Sequence, residues 1–147
     1  MRVSERLEAI GTAMRRYFIL NIIVPLVVGA LIYYVLFPDI IFVKTIDELI
    51  GVSFHVPVKF SNIFIRYLRY YLLDLLWAYS LMSLVSMMFK DSKAIYAISF
   101  VFIIAMEMIQ MLPGIPGTFD VIDIVVEMIA GLIAIRINKR RENYEKN

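Results

Sequence analysis

The chain has no cysteine. A disulfide framework, a thiolate metal site and a cysteine nucleophile are all excluded, and the redox compartment is left unmarked. Histidine occurs once, at His55, which argues against zinc sites built on two or three histidines. Charge is also scarce, at 19% of residues with a formal net charge of +2. There are no internal repeats and no linker-like segments. What fills the chain instead is apolar: 61% of 147 residues, with a mean hydropathy of +0.79. A soluble domain is about half apolar. The excess points to a membrane protein, and the length bounds it to one domain.

Read from the N-terminus, Val3, Leu7, Ile10 and Met14 recur at helical spacing within residues 2–16. This segment is either an amphipathic helix on the membrane surface or a solvated helical tail. Tyr17 to Phe37 forms the first span, long enough to cross about 30 Å of hydrocarbon. It is too long for a signal core and ends in bulky residues with no cleavage site, so it is expected to be a retained anchor. Pro25 predicts a kink. Residues 38–61 are expected to form a partly structured loop. In it, Thr45-Ile-Asp-Glu48 fits a capping box and Gly51 suits a helix end. His55 is expected at the surface, without partners. Ser61-Asn62 can cap a second helix whose apolar core is residues 70–89. The third span is 94–112, reached through a tight turn at Lys90-Asp91-Ser92-Lys93, and the fourth is 119–137, reached through the turn PGIPG. Asn138 to Asn147 reads as a charged tail. The expected fold is all-α: an integral membrane four-helix bundle with a partly structured outer loop between helices 1 and 2, apolar on every face.

Four spans put both termini on one side. That side carries eleven basic residues against four on the other. The positive-inside rule therefore predicts cytoplasmic termini in a multi-pass cell-membrane protein. The 38–69 loop and the PGIPG turn then face outward.

Against this apolar background five acids stand out. Asp120, Asp123 and Glu127 fall at i, i+3 and i+7, on one helix face. Gly131 and Ala134 continue that face and let another helix approach closely. Glu107 and Gln110 share a face of the third span, and Arg66, Tyr70, Asp74 and Trp77 form a stripe on the second. Glu107 lies roughly 8 Å below the end of its span and Glu127 roughly 12 Å below the start of its own. Across an antiparallel hairpin the two glutamates are expected to face each other. All the polar groups are expected to gather in the outer half, with nothing comparable in the inner half. A carboxylate at the bilayer centre costs about 2.5–3.5 kcal/mol on the insertion scale. The acids must be protonated, solvated, or paired with Arg66, Arg69 or a ligand. Helix-to-helix hydrogen bonding is the structural alternative, and for Asp120, near a helix N-terminus, it suffices.

Glu107-Met-Ile-Gln110, a short turn, Phe119-Asp120-Val-Ile-Asp123 and the YLLDLLWAYSL run (Tyr71 to Leu81) together resemble the VanZ-like family of small bacterial membrane proteins. The match covers mainly Arg69 to Ala134. The chain departs from the family where an arginine often precedes Phe-Asp, since the turn ends in Gly117-Thr118. It departs again at Glu127, where relatives usually carry asparagine, and at Ala130, where they usually carry glycine. Arg66 or Arg69 is expected to replace the missing counter-ion. The resemblance implies an envelope role of the kind linked to teicoplanin resistance, without a settled biochemical activity.

Three functional readings remain. One is a non-catalytic pocket for an envelope lipid head group, a peptidoglycan-related ligand or a glycopeptide. Another is an intramembrane acid/base or cation-dependent enzyme, using Glu107 with Glu127, or Glu107, Gln110, Asp120 and Asp123 as oxygen donors. The last is a small ion- or proton-coupled transporter, disfavoured because the acids stop in one half. No metal or cofactor is expected, because oxygen-only sites usually show a tighter ligand run. The partners are the bilayer and such a ligand, with a homodimer plausible. Nucleic acid is excluded by location; the basic tail serves topology and anionic lipids.

Overall fold

The structure is a computed structural model that describes residues 3–38, 40–55, 63–90, 92–113 and 119–146, with the side chains of residues 3–7, 9–10, 63–66, 68–70 and 144–146 excepted. It is all-helical; among the described residues there is no strand.

Helix α1 (Val3–Phe18), a π turn (Ile19–Ile23) and α2 (Val24–Leu36) follow one another without a break. The expected division between a separate surface helix and a first span is therefore corrected to one continuous helix. Gly11 does not interrupt it and stands in open space. The π turn has an identifiable cause. Pro25 has no N–H and its ring crowds the carbonyl four residues back. The backbone widens ahead of it, so that the Val24 N–H donates to the Ile19 carbonyl, five residues back. Asn21, within this turn, is satisfied on both sides. Its amide donates to the Tyr17 carbonyl at 3.1 Å, and its oxygen accepts from the Tyr79 hydroxyl of the next long helix.

Helix α3 (Ile41–Ile50) begins earlier than the capping box proposed for it. Thr45 is already interior, and its hydroxyl donates back to the Ile41 carbonyl at 3.0 Å. The reason is local: such back-bonding satisfies threonine inside a helix without a cap. Gly51 does end α3, in the left-handed conformation at φ 71°, with its N–H on the Asp47 carbonyl at 2.8 Å.

Helices α4 (Ile63–Met88), α5 (Lys93–Ile109) and α6 (Val121–Lys146) complete the bundle. Helix α4 is its hub, packing on the π turn and α2 on one side and on α5 and α6 on the other. Ala78, Met82, Tyr96, Ile103, Ala130 and Ala134 form the apolar core among α4, α5 and α6. Gly131 lets the helices close. A Cβ there would stand 2.6 Å from the Phe100 ring and 3.0 Å from Met82.

The molecule is inside-out by the standards of a soluble domain. Leu20, Leu31, Ile98, Val101, Leu132 and Val121 are among many large apolar side chains left exposed, while Ser80, Ser83, Ser86, Glu107, Glu127, Asn138 and Glu142 are buried. Exposed apolar surface of this extent needs a cover. Two helices, Gly11–Leu36 and Tyr71–Met88 by their described segments, are long and apolar enough to cross a membrane. Helix α5 has 17 residues, about 25 Å of rise. The apolar part of α6 carries Asp123, Glu127 and Arg136. Those two features separate them from the first pair.

Two expectations are corrected at the far end of α6. Asn138 onward is not a loose tail, because the helix runs to Lys146. Nor is one half of the bundle free of buried polar groups. Asn138 and Glu142, at i and i+4, turn back onto α4: the Asn138 amide donates to the Ser86 carbonyl at 2.8 Å and to Glu142 at 3.2 Å. Lys90 and Arg141 each lie 4.0 Å from the Glu142 carboxylate. The ground on which transport was disfavoured is thereby weakened.

Candidate functional site: an acidic cluster within the bundle

Three carboxylates from three helices meet: Asp74 of α4, Glu107 of α5 and Glu127 of α6. One oxygen from each lies within 4.8 Å of the others. Glu107 is 4% exposed and Glu127 is 0% exposed. The facing of Glu107 and Glu127 expected from the hairpin is what the structure has. It follows from the α6 face on which Glu127, Gly131, Ala134, Asn138 and Glu142 all turn toward α4. At Gly131 and Ala134 the side chains are small enough to bring Glu127 against α4.

Each glutamate is held by one donor. The Trp77 indole N–H donates to Glu127 Oε1 at 2.9 Å, and the Gln110 amide donates to Glu107 Oε1 at 2.8 Å. The second oxygens, Oε2 of both, are buried without a hydrogen-bond partner among the described residues, and so is Asp123 Oδ1. Asp123 is close enough for its charge to bear on Asp74, Glu107 and Glu127. Asp120 stands apart in role. Its Oδ1 accepts the Ile122 N–H at 2.9 Å, capping α6, and its Oδ2 accepts from the Tyr71 hydroxyl at 3.3 Å. Among the described residues no cation lies at ion-pair distance from the cluster. Arg66 and Arg69 belong to α4, and their side chains lie outside the described residues. The PGIPG turn falls largely outside them as well.

A cavity of about 540 Å³ opens between α2, α3 and α4. Its walls are mostly apolar, with Gly29, Ala30, Tyr34 and Val43 among them, and two of its residues, Asp74 and Trp77, belong to the acidic cluster. The size is that of a small-molecule pocket. The geometry thus joins an apolar chamber to a group of carboxylates, the combination that holds a chain and a polar head, or a cation below a chain.

Sequence reasoning missed Trp77 and Tyr71 as donors. The signal was present: a buried indole or phenol needs an acceptor, and Trp77 sits one turn from Asp74. It also placed His55 wrongly. His55 is engaged on both ring nitrogens, Nδ1 with the Tyr34 carbonyl at 3.2 Å and Nε2 with Asp47. Asp47 in turn accepts from the Tyr34 hydroxyl. The hydrogen bonds from Tyr34, then from His55, hold the Asp47 carboxyl below its usual range. These partners are 13 and 21 positions from Tyr34 along the chain, so only the fold brings them together.

The chain matches no family model, no curated protein and no solved structure.

Proposed function

We propose that the chain is a multi-pass, VanZ-like membrane protein whose acidic pocket binds an amphiphile of the cell envelope. The observation that carries this reading is the junction at Asp74 and Trp77, where an apolar cavity of about 540 Å³ meets the carboxylate cluster. An acyl chain fits the cavity, and its head group meets Asp74. In this reading α5 and α6 cross the bilayer with the two longer apolar helices, because their acids turn inward rather than to lipid. Both termini are cytoplasmic, on the basic-residue bias. The cluster then lies toward the outer surface, where envelope lipids and glycopeptides are met.

Thermal unfolding of the purified protein with short-chain phosphatidylethanolamine or phosphatidylglycerol tests it. The melting temperature of the wild type rises with lipid concentration. Ala30→Phe, which fills the cavity, and Asp74→Asn, which removes the polar contact, both abolish the rise. An unchanged rise in both variants would remove the pocket from the account. A second reading, a cation-dependent or acid/base enzyme on a lipid-linked substrate, draws on the approach of three carboxylates within 4.8 Å, and turnover of an added lipid substrate that Glu127→Gln abolishes is its mark.

A further inference from the structure

We infer that Asp74, Glu107 and Glu127 bind a calcium-sized divalent cation through their carboxylate oxygens. Two observations carry this. The first is the span of the cluster, in which no chosen oxygen is more than 4.8 Å from another. Two oxygens bound to one cation at about 2.4 Å are at most about 4.8 Å apart, so the three can share one ion, and a set of protein carboxylates suits calcium better than magnesium, which keeps several of its waters. The second observation is independent of the grouping. Glu107 Oε2 and Glu127 Oε2 are buried, and neither has a hydrogen-bond partner among the described residues. A buried carboxylate oxygen left in that state costs free energy, and a hard cation relieves it.

The other oxygen of each glutamate is already fixed, by Gln110 at 2.8 Å and Trp77 at 2.9 Å. Donors that orient metal-binding carboxylates in this way raise affinity. A divalent ion reduces the charge of three ionised carboxylates to a single negative charge, which membrane burial tolerates far better. Chain spacing had argued against a metal. The ligands come instead from three helices, which no run of residues displays. The inference uses the same carboxylates as the pocket reading but needs no amphiphile in the cavity.

The chain's only tryptophan is Trp77, bonded to a proposed ligand. Light absorbed by tryptophan therefore excites terbium(III), an oxygen-seeking substitute for calcium, when it is bound at this cluster. Titrating the purified full chain with terbium is expected to give saturating emission at one ion per chain. Calcium should displace it at lower concentration than magnesium. Glu107→Gln and Glu127→Gln should each weaken terbium binding by about tenfold or more, while Asp47→Asn leaves it intact. Should the glutamine variants fail to fold, Glu127→Asp, which keeps the charge but draws back the oxygen, gives weaker binding in their place. Ala30→Phe separates the two readings: it abolishes stabilisation by lipid and leaves terbium emission unchanged. Absence of saturable emission from wild type overturns the inference. So does emission that folded glutamine or aspartate variants retain in full.

Discussion

Trp77 and Gln110 show how a single N–H decides what a buried carboxylate can still do. Each fixes one oxygen of a glutamate and leaves the other facing inward. Asp120, two turns before Glu127, has both oxygens engaged and so has a structural task. Equal acids on one helix face thus differ in availability because of their neighbours, not their spacing. Asp47 is a third case. With Tyr34 and His55 bonded to it, its folded-state carboxyl titrates below the ordinary value of 3.8. A depressed carboxyl stabilises the fold at pH values above its unfolded range and stops doing so as pH falls through the folded value. The melting temperature of wild type should therefore exceed that of Asp47→Asn at neutral pH, with the gap closing below about pH 4. A gap of constant size from neutral to acid pH would show that the Tyr34–Asp47–His55 contacts do not form.

At the scale of the helix, close approach is set by a few small residues. Gly131 and Gly29 make a direct comparison. Alanine at 131 pushes its Cβ to 2.6 Å from Phe100, whereas alanine at 29 meets Leu76 at an ordinary 3.8 Å. Gly131→Ala should destabilise by roughly 1–3 kcal/mol through overpacking. Gly29→Ala should be neutral or stabilise by about 0.5–1 kcal/mol, since alanine is the better helix residue. Reversible unfolding of the two variants checks both signs. How much was legible in advance follows the same division. The i, i+3, i+7 placement of Asp120, Asp123 and Glu127, with Gly131 and Ala134 beyond them, pointed to the right face of α6. The continuation of that face to Asn138 and Glu142 was hidden because charge density there looked like a tail. The capping box at Thr45 misled because a threonine inside a helix satisfies its hydroxyl on its own backbone. Contacts between distant segments, such as Asn21 with Tyr79, left no periodic trace.

For the whole molecule, exposed apolar surface of this extent calls for a cover, of lipid or of protein. The absence of cysteine makes the arrangement easy to test. Single cysteines introduced at Glu8, Glu48 and Asn143, all exposed, are each the only thiol in their chain. With cytoplasmic termini, an impermeant maleimide labels Glu48→Cys on intact cells, and labels Glu8→Cys and Asn143→Cys only after the membrane is opened. The reverse pattern would invert the topology and put the acidic cluster on the opposite side.

The π turn at Ile19–Ile23 has a consequence for how this sequence can vary. It holds one residue more than a regular helix needs over that length. Everything before it is therefore rotated by about a quarter-turn relative to everything after it, since each helical residue advances about 100°. The phase that sets Tyr17 under the Arg141 guanidinium, 4.3 Å from its ring centre, is thus separate from the phase that sets Gly29 against Leu76. A strand of evolution that lost one residue from this turn would keep the cavity and swing the N-terminal arm to a new neighbour.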